Sequence, residues 1–297
     1  MKEILVLGGT RFVGRRLVTN LVKAGYEVTV ANRSGLGDLD GTVRSIIFER
    51  SDIDSIRTTV GKNHYDAVFD MICYSPHNAK VIVKNISTDK YIMISSSVVY
   101  DWGHGLKEED FVAEDFLLRD GTIEELAAKF GYKQGYKIGK MGAEHIVATQ
   151  MNVPAIRVRF PLVMGLNDHT RRMESYVEAV QKKKRLYVDN LYSQFSTVYV
   201  ENAAKYLENL LHVDYQGAIN IADEGCLSVN RIVGDIGLLW GECIEDLFEA
   251  TGMEGGYNQY YNNTFVLDRM KQLGIKPDSV ESWYKDLLVK IINNWKE

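Results

Sequence analysis

"LGGTRFVGRRL" (Leu7–Leu17) follows an apolar run and opens a helical one. Gly8, Gly9 and Gly14 sit between a β-rich stretch, "EILVLG" (Glu3–Gly8), and the pattern "RFVGRRLVTNLVKAG". In the latter, Phe12, Val13, Leu17, Leu21 and Val22 fall near helical spacing and Gly25 is a stop signal. Glycine lets the backbone turn tightly and lets the helix start close to a pyrophosphate, which its free N–H groups and partial positive charge attract. The placement predicts a dinucleotide-binding turn over Gly8, Gly9, Thr10, Arg11, Phe12, Val13 and Gly14. The plain alternative is a glycine-rich strand-to-helix turn with no ligand. Arg11 stands where a glycine is expected, which raises the question of what that arginine does.

Outward from this turn, "EVTVANR" (Glu27–Arg33), "RSIIFE" (Arg44–Glu49), "DAVFDMI" (Asp66–Ile72), "YIMISSS" (Tyr91–Ser97) and "PAIRVRF" (Pro154–Phe160) read as further strands. Helical stretches at Asp52–Val60, Pro76–Ile86 and Tyr136–Gln150 alternate with them. Strands apolar almost throughout are buried on both faces, so the alternation predicts an α/β fold with a doubly wound parallel sheet flanked by helices. The acidic, irregular stretch Asp101–Phe130 breaks the pattern. It reads as a surface insertion with one short helix, the alternative being a flap over a site. After Gly165 the order is mixed, with short strands expected at Gly217–Ile221 and Leu227–Val229. Helices are expected at Met173–Lys184, Glu201–Leu211 and Arg231–Leu239.

The chain has 297 residues, 45% of them hydrophobic and 25% charged, which suits a globular protein with a large core. The formal net charge of −5 argues against a broad nucleic-acid footprint. Three cysteines, Cys73, Cys226 and Cys243, are too few and too scattered for a disulfide framework or a zinc site. The opening "MKEILVLGG" has no signal-peptide pattern, and no apolar run approaches the roughly 18 residues of a membrane span. A reduced, cytoplasmic setting without a membrane partner is expected.

Strand two ends in "ANRSG", with Asn32 and Arg33 where an acidic residue would hold a ribose 2′-hydroxyl. A guanidinium there suits a 2′-phosphate, and Arg11 rises from the first helical turn near the same ribose. The two arginines together are expected to clamp that phosphate and favour NADP over NAD; a solvated surface charge is the plain reading of either one. "YKIGK" places Tyr136 and Lys140 four apart, on one helical face. A nearby ammonium lowers a phenol's pKa, which makes such a tyrosine a usable base. The spacing is common by chance, and the serine-rich strand end "ISSSVVY" is what gives it context. In a parallel sheet ligands sit outside the carboxyl ends of the strands, so Ser95–Ser97 share an edge with the glycine turn.

Taken together these residues resemble the extended short-chain dehydrogenase/reductase family, of the NAD(P)-dependent epimerase/dehydratase type, over nearly the whole chain. Its glycine motif corresponds to "GGTRFVG", its adenine-contacting pair to Asp52 and Ile53, and its Ser/Thr segment to "SSSVVYD". The resemblance implies Ser96 as the catalytic hydroxyl and Tyr136 and Lys140 as the catalytic pair, followed by Glu144. Ile72 and Cys73 join the cofactor-binding set. "RFPLVMG" is similar to a further family segment, with Arg159, Pro161 and Gly165 in place. It implies a Rossmann domain over residues 1–165, taking in residues near 196–212, and a smaller mixed α/β substrate domain over most of 166–297. The implied chemistry is hydride transfer between a substrate carbinol carbon and a nicotinamide, in an epimerase or a reductase acting on a nucleotide sugar or sugar-like small molecule.

Departures narrow that expectation. The "GGTRF" turn is similar to a subgroup that includes chloroplast stem-loop-binding proteins, so a non-catalytic dinucleotide-sensing or RNA-binding protein is the alternative. Ser97 and Val98 replace the Asp-Glu pair of the family's dehydratases. Phe195 and Ser196 replace the Arg-Asp of nucleotide-sugar enzymes, whose arginine grips the sugar diphosphate. "KKKR" (Lys182–Arg185) is a candidate phosphate contact or simply a solvated helix end. The residues leave a homodimer open.

Overall fold

The computed structural model describes residues 2–37, 39, 41–241, 253–254, 256–257 and 261–296. In the first half, β1 (Glu3–Leu7), α1 (Phe12–Lys23), β2 (Glu27–Asn32), β3 (Arg44–Ile47), α2 (Ile53–Thr58) and β4 (His64–Tyr65) are followed by β5 (Ala67–Asp70) and α3 (Pro76–Asn85). Then come β6 (Ser87–Thr88), β7 (Tyr91–Ser96), β8 (Gly103–Leu106), α4 (Ile123–Phe130), α5 (Tyr132–Gln150), β9 (Ala155–Phe160) and β10 (Leu162–Met164). The remainder runs α6 (Arg172–Gln181), β11 (Leu186–Tyr187), β12 (Gln194–Phe195), β13 (Thr197–Tyr199), α7 (Val200–Asn209), β14 (Gly217–Asn220), β15 (Leu227–Ser228) and α8 (Val229–Trp240). It closes with β16 (Met253–Glu254), β17 (Asn263–Phe265), α9 (Asp268–Gln272) and α10 (Tyr284–Lys296).

Seven strands form one parallel sheet in the order β14-β9-β7-β5-β1-β2-β3. The order reverses direction on either side of β1, the doubly wound arrangement expected from the alternating pattern. Its strands are buried on both faces: β1 and β5 are apolar towards α1 and α7 on one side and α3 and α5 on the other, while β9 is apolar on the first side and carries the buried Arg157 and Arg159 on the second. One expectation shifts. The sequence order groups Gly217–Ile221 with the mixed C-terminal part, but β14 is the seventh strand of the main sheet, paired with β9 through Gly217–Ile156 and Asn220–Arg159. A period-2 run of four residues carries no label for the sheet it joins. A second core gathers α6, α8 and α10 with Phe195, Leu227 and Tyr257 around the sheet β15-β12-β17-β8.

The 101–130 segment has its short helix, α4, but it is fastened to the body. Its β8 joins the second sheet beside β17. Arg159, on β9 and wholly buried, uses all five N–H donors, two of them on carbonyl groups of this segment. Nε and Nη2 reach the Glu144 carboxylate on α5 (3.0 and 2.7 Å). Nη1 donates to Tyr100 Oη (2.9 Å) and to the Glu108 carbonyl (2.8 Å), and Nη2 also to the Phe111 carbonyl (2.9 Å). Tyr100 passes the link to Asn220 Oδ1 on β14 (2.7 Å). A charge this deep is tolerated only when paired and fully hydrogen-bonded.

Arg159→Met strands the Glu144 carboxylate and two carbonyl groups, and should cost about 3–5 kcal/mol of unfolding free energy. Adding Glu144→Leu should restore part of that loss. Urea unfolding of the two variants checks this; a single-variant loss below about 1 kcal/mol would mean the pair is not what fastens the segment.

Candidate active site

The turn after β1 has the geometry of a phosphate cradle. Gly8 takes φ 83°. A Cβ on Gly14 would stand 3.0 Å from the Gly8 carbonyl oxygen and 3.1 Å from Gly9 Cα, so only glycine lets α1 start this close to the turn. Arg11 is the N-cap of α1, gives no side-chain acceptor to the first-turn N–H groups, and no acidic residue follows it there. Those donors and the helix's positive end face outward, which fits a dinucleotide pyrophosphate. Phe12 carries φ 43°, a conformation that costs an L-residue roughly 1–2 kcal/mol. Thr10 is half-buried and Val13 is packed into the core beneath the turn.

The other expected cofactor residues are distributed as follows. Arg11 and Arg33 are both exposed. Asn32 is buried, and its amide closes the loop after β2: Oδ1 accepts from Ser34 N and Gly35 N (2.7 Å each) while Nδ2 donates to the Gly35 carbonyl (2.9 Å). Glu49 is held below the usual carboxylate range, first by hydrogen bonds from Ser51 and then partly by the charge of Arg33, so Arg33 has an acid within reach. Asp52 caps α2 through Oδ1, which accepts from Asp54 N (2.9 Å) and Ser55 N (3.2 Å). Beside it Ile53 shows its side chain to solvent. Ile72 lies against Gly8. The Cys73 thiol is buried in the core and pushed up to about 12 by that burial, so this residue contributes its backbone only.

That backbone matters. Lys140 is buried on α5, and its Nζ donates to the carbonyl oxygens of Cys73 and Ile94, each at 2.9 Å. The ammonium thus joins α5 to the carboxyl ends of β5 and β7. Tyr74 lies over it, with the ring centroid 4.6 Å from Nζ, and the Tyr136 centroid is 5.9 Å from Nζ. The Tyr74 and Tyr136 rings are 6.3 Å apart. Gly139 makes this approach possible, since a Cβ there would sit 2.4 Å from the Tyr74 carbonyl oxygen. Burial lowers Lys140 to about 8; the nearby acids Asp70 and Glu144 oppose the shift and Arg50 adds to it.

Ser96 ends β7, half-buried, and its Oγ accepts from Val98 N at 3.4 Å. Ser95 points the other way, into the core, and donates to Glu144. The strand alternation therefore puts Ser95 in the Arg159 network and turns Ser96 to the opposite face. Two further residues shape the site without belonging to any of its motifs: Tyr74 and Asp70. Asp70 is wholly buried and takes Arg50 bidentately (2.7 and 2.5 Å), the Tyr91 hydroxyl (2.6 Å) and Ile72 N (3.1 Å), which fixes the loop that presents the Cys73 carbonyl. An acid closing the apolar run "DAVFD" was the available signal, because a buried carboxylate demands a partner.

Phe195 is buried against Tyr257, ring centroids 5.6 Å apart, so this position offers a substrate no charge. Lys182 and Lys184 both pair with Glu178 (3.0 and 2.8 Å). Cys226 is a free thiol, and Cys243 lies outside the described residues. No helix among the described residues is long and apolar enough to cross a membrane.

A glycine turn at the head of a doubly wound parallel sheet, with a Tyr–Lys pair on α5 and a serine closing β7, is the arrangement of an extended short-chain dehydrogenase/reductase. The chain belongs to the NAD dependent epimerase/dehydratase family, whose pattern matches residues 4–222. It is similar in fold to the UDP-glucose 4-epimerase of Thermotoga maritima, solved with UDP-glucose, at TM-score 0.75 and 15% identity over 99% of this chain and 100% of that one. The UDP-glucuronic acid 4-epimerase of Bacillus cereus, solved with NAD, gives TM-score 0.71 and 16% identity over 99% and 100%. A curated relative, the chloroplast stem-loop binding protein of 41 kDa b from Arabidopsis thaliana, is 27% identical over 114 residues. That match covers 33% of this chain and only 30% of the relative's length.

Lys140 provides a pH signature. Its folded-state pKa lies below the unfolded one, so the buried ammonium opposes folding below about pH 8, and the penalty is relieved as pH rises towards 10.5. Relative to Lys140→Met, the wild type should gain up to roughly 3 kcal/mol across that window. Urea midpoints of both proteins between pH 7.5 and 10.5 test it; a pH-independent difference would contradict the assignment.

Proposed function

We propose that this protein is an NAD(P)-dependent epimerase or reductase of a nucleotide-sugar or sugar-like substrate, with Tyr136 as acid/base, Lys140 as its tuning partner and Ser96 as the hydroxyl that binds the reacting oxygen. The observation that carries this is the placement of Lys140: buried, aimed at the carboxyl edge of the sheet and 5.9 Å from the Tyr136 ring. The cofactor would lie along Gly8–Gly14, its adenosine end towards Arg11, Arg33, Asp52 and Ile53 and its nicotinamide ribose towards Lys140, Ile72 and the Cys73 backbone. When bound, the nicotinamide supplies the acceptor or donor of a hydride. Tyr136, as phenolate, takes the proton of the substrate hydroxyl in the oxidising direction and returns it in the reducing one. Lys140 favours that phenolate electrostatically. Two of its three N–H donors are already used on carbonyl groups, which leaves one for a ribose hydroxyl. Ser97 and Val98 stand in place of an acid pair, which supports an epimerase or reductase over a dehydratase. Residues 1–165 with 196–212 would form the cofactor domain and most of 166–297 the substrate domain.

The expectation for the chemical step is that Tyr136→Phe keeps the fold and cofactor affinity while turnover falls by about 10²–10⁴ on a substrate found by screening sugar alcohols and carbonyls. Full turnover in that variant would refute the assignment. An RNA-binding role is the second reading, favoured by the stem-loop-binding relative, and retained RNA binding at moderate salt with no dehydrogenase chemistry would establish it in place of the first.

For the cofactor, NADP should bind more tightly than NAD, because Arg11 and Arg33 are exposed and no acid ends β2. Arg33→Ala should cost NADP about 1.5–3 kcal/mol, the worth of a charged hydrogen bond, and leave NAD nearly unchanged. Calorimetric titration of both cofactors decides it; an NAD preference insensitive to Arg33→Ala would overturn the idea, Glu49 then being the dominant neighbour.

A further inference from the structure

Tyr74 stands at the corner between β5 and α3, and that corner is tightly held. Tyr74 N donates to Asn78 Oδ1 (3.2 Å), Ser75 Oγ caps α3 by accepting from Asn78 N (3.2 Å), and Arg50 Nη2 donates to the Asn78 carbonyl (3.3 Å). Two glycines of α5 let that helix lie against it. A Cβ on Gly139 would stand 2.4 Å from the Tyr74 carbonyl oxygen, and one on Gly142 would stand 2.5 Å from Pro76 Cγ. The Tyr74 ring lies over the Lys140 ammonium, its centroid 4.6 Å from Nζ. An aromatic face attracts a cation within about 6 Å of its centroid.

Core packing does not account for this ring. Tyr74 is 37% exposed, while Lys140 beneath it is 2% exposed, so the ring belongs to the cover between the ammonium and water. Burial, and after it Asp70, raises the Tyr74 phenol above its ordinary range, so the ring stays neutral while Lys140 titrates. What it offers the lysine is its π-face. That face attracts an ammonium but gives a neutral amine no such attraction, so it opposes the desolvation that drives a buried lysine towards the amine.

The other groups around Nζ pull in both directions. Asp70 and the Cys73 thiol come from the end of β5, Arg50 from the chain after β3, and Tyr136 and Glu144 from α5, while β7 offers the Ile94 carbonyl. Burial lowers Lys140 to about 8 and Arg50 adds to the shift, while Cys73, Asp70 and Glu144 oppose it. With the lysine so near neutral pH, one more contact selective for the cation decides how much ammonium faces Tyr136.

We infer that Tyr74 is a positioning residue whose ring face holds Lys140 as an ammonium beside Tyr136, at the carboxyl ends of β5 and β7. The inference deepens the proposed function, on which it rests only for the use made of that ammonium.

The test is an NMR titration of the full chain labelled at lysine Cε, between about pH 6 and 10. The Lys140 signal is the one missing from Lys140→Met. Tyr74→Leu keeps an apolar cover without a π-face, and its Lys140 acid dissociation constant should rise about tenfold. Tyr74→Phe keeps the ring and should titrate as the wild type does. If Tyr74→Leu does not fold, Tyr74→Met serves in its place. A midpoint that stays put or moves upward in the ringless variant, or one that moves as far in Tyr74→Phe, overturns the inference. The titration needs neither cofactor nor substrate, so the two proposals fail separately. A shifted midpoint with full turnover in Tyr136→Phe would remove the proposed function and keep the Tyr74 contact. An unmoved midpoint with turnover lost in Tyr136→Phe would remove this inference alone.

Discussion

Arg159 is a wholly buried guanidinium on a strand of the main sheet, and elements from across the chain keep it satisfied. Its five donors end on Glu144 of α5, on Tyr100 after β7, and on the carbonyl groups of Glu108 and Phe111 in the acidic segment. No one of these elements can shift without exposing a buried charge, a penalty of several kcal/mol. The segment that reads as irregular is therefore a fixed wall. The pair is weak as a source of net stability and strong as a determinant of register.

The catalytic candidates inherit that rigidity. Glu144 and Lys140 lie one turn apart on α5, so anchoring the first fixes the second. Lys140 then reaches across to the carbonyl groups of Cys73 and Ile94, and the Arg50–Asp70 pair holds the loop bearing Cys73 from behind. An ammonium in such a place is partly dehydrated and acidified. It is held at one point near Tyr136, which is the preorganisation that proton transfer needs.

The glycine turn and Phe195 belong to different cores. Around the turn the exposed chemistry is backbone: glycines, a helix end and, across from it, carbonyl groups held by Lys140. Phe195 is withdrawn into the second core, against Tyr257, and presents no charge there.

By itself the sequence determined the alternation of apolar strands and amphipathic helices, the glycine turn at Gly8–Gly14 and the spacing of Tyr136 and Lys140. These are local regularities, set by the period of side chains along a strand or helix and by the conformational freedom of glycine. It did not say that Gly217–Asn220 would close the main sheet, because a short strand's partner is chosen by long-range packing. Nor did it show that Asn32 would turn its amide onto its own loop, that Ser95 would be the serine joined to Glu144, or that Tyr74 would lie over Lys140. Those outcomes depend on which buried polar group finds which partner, and partners such as Arg50 and Asp70, or Glu108 and Arg159, are 20 and 51 residues apart in the chain. Only the folded chain brings them within hydrogen-bonding distance, and only there does leaving one unpaired become costly.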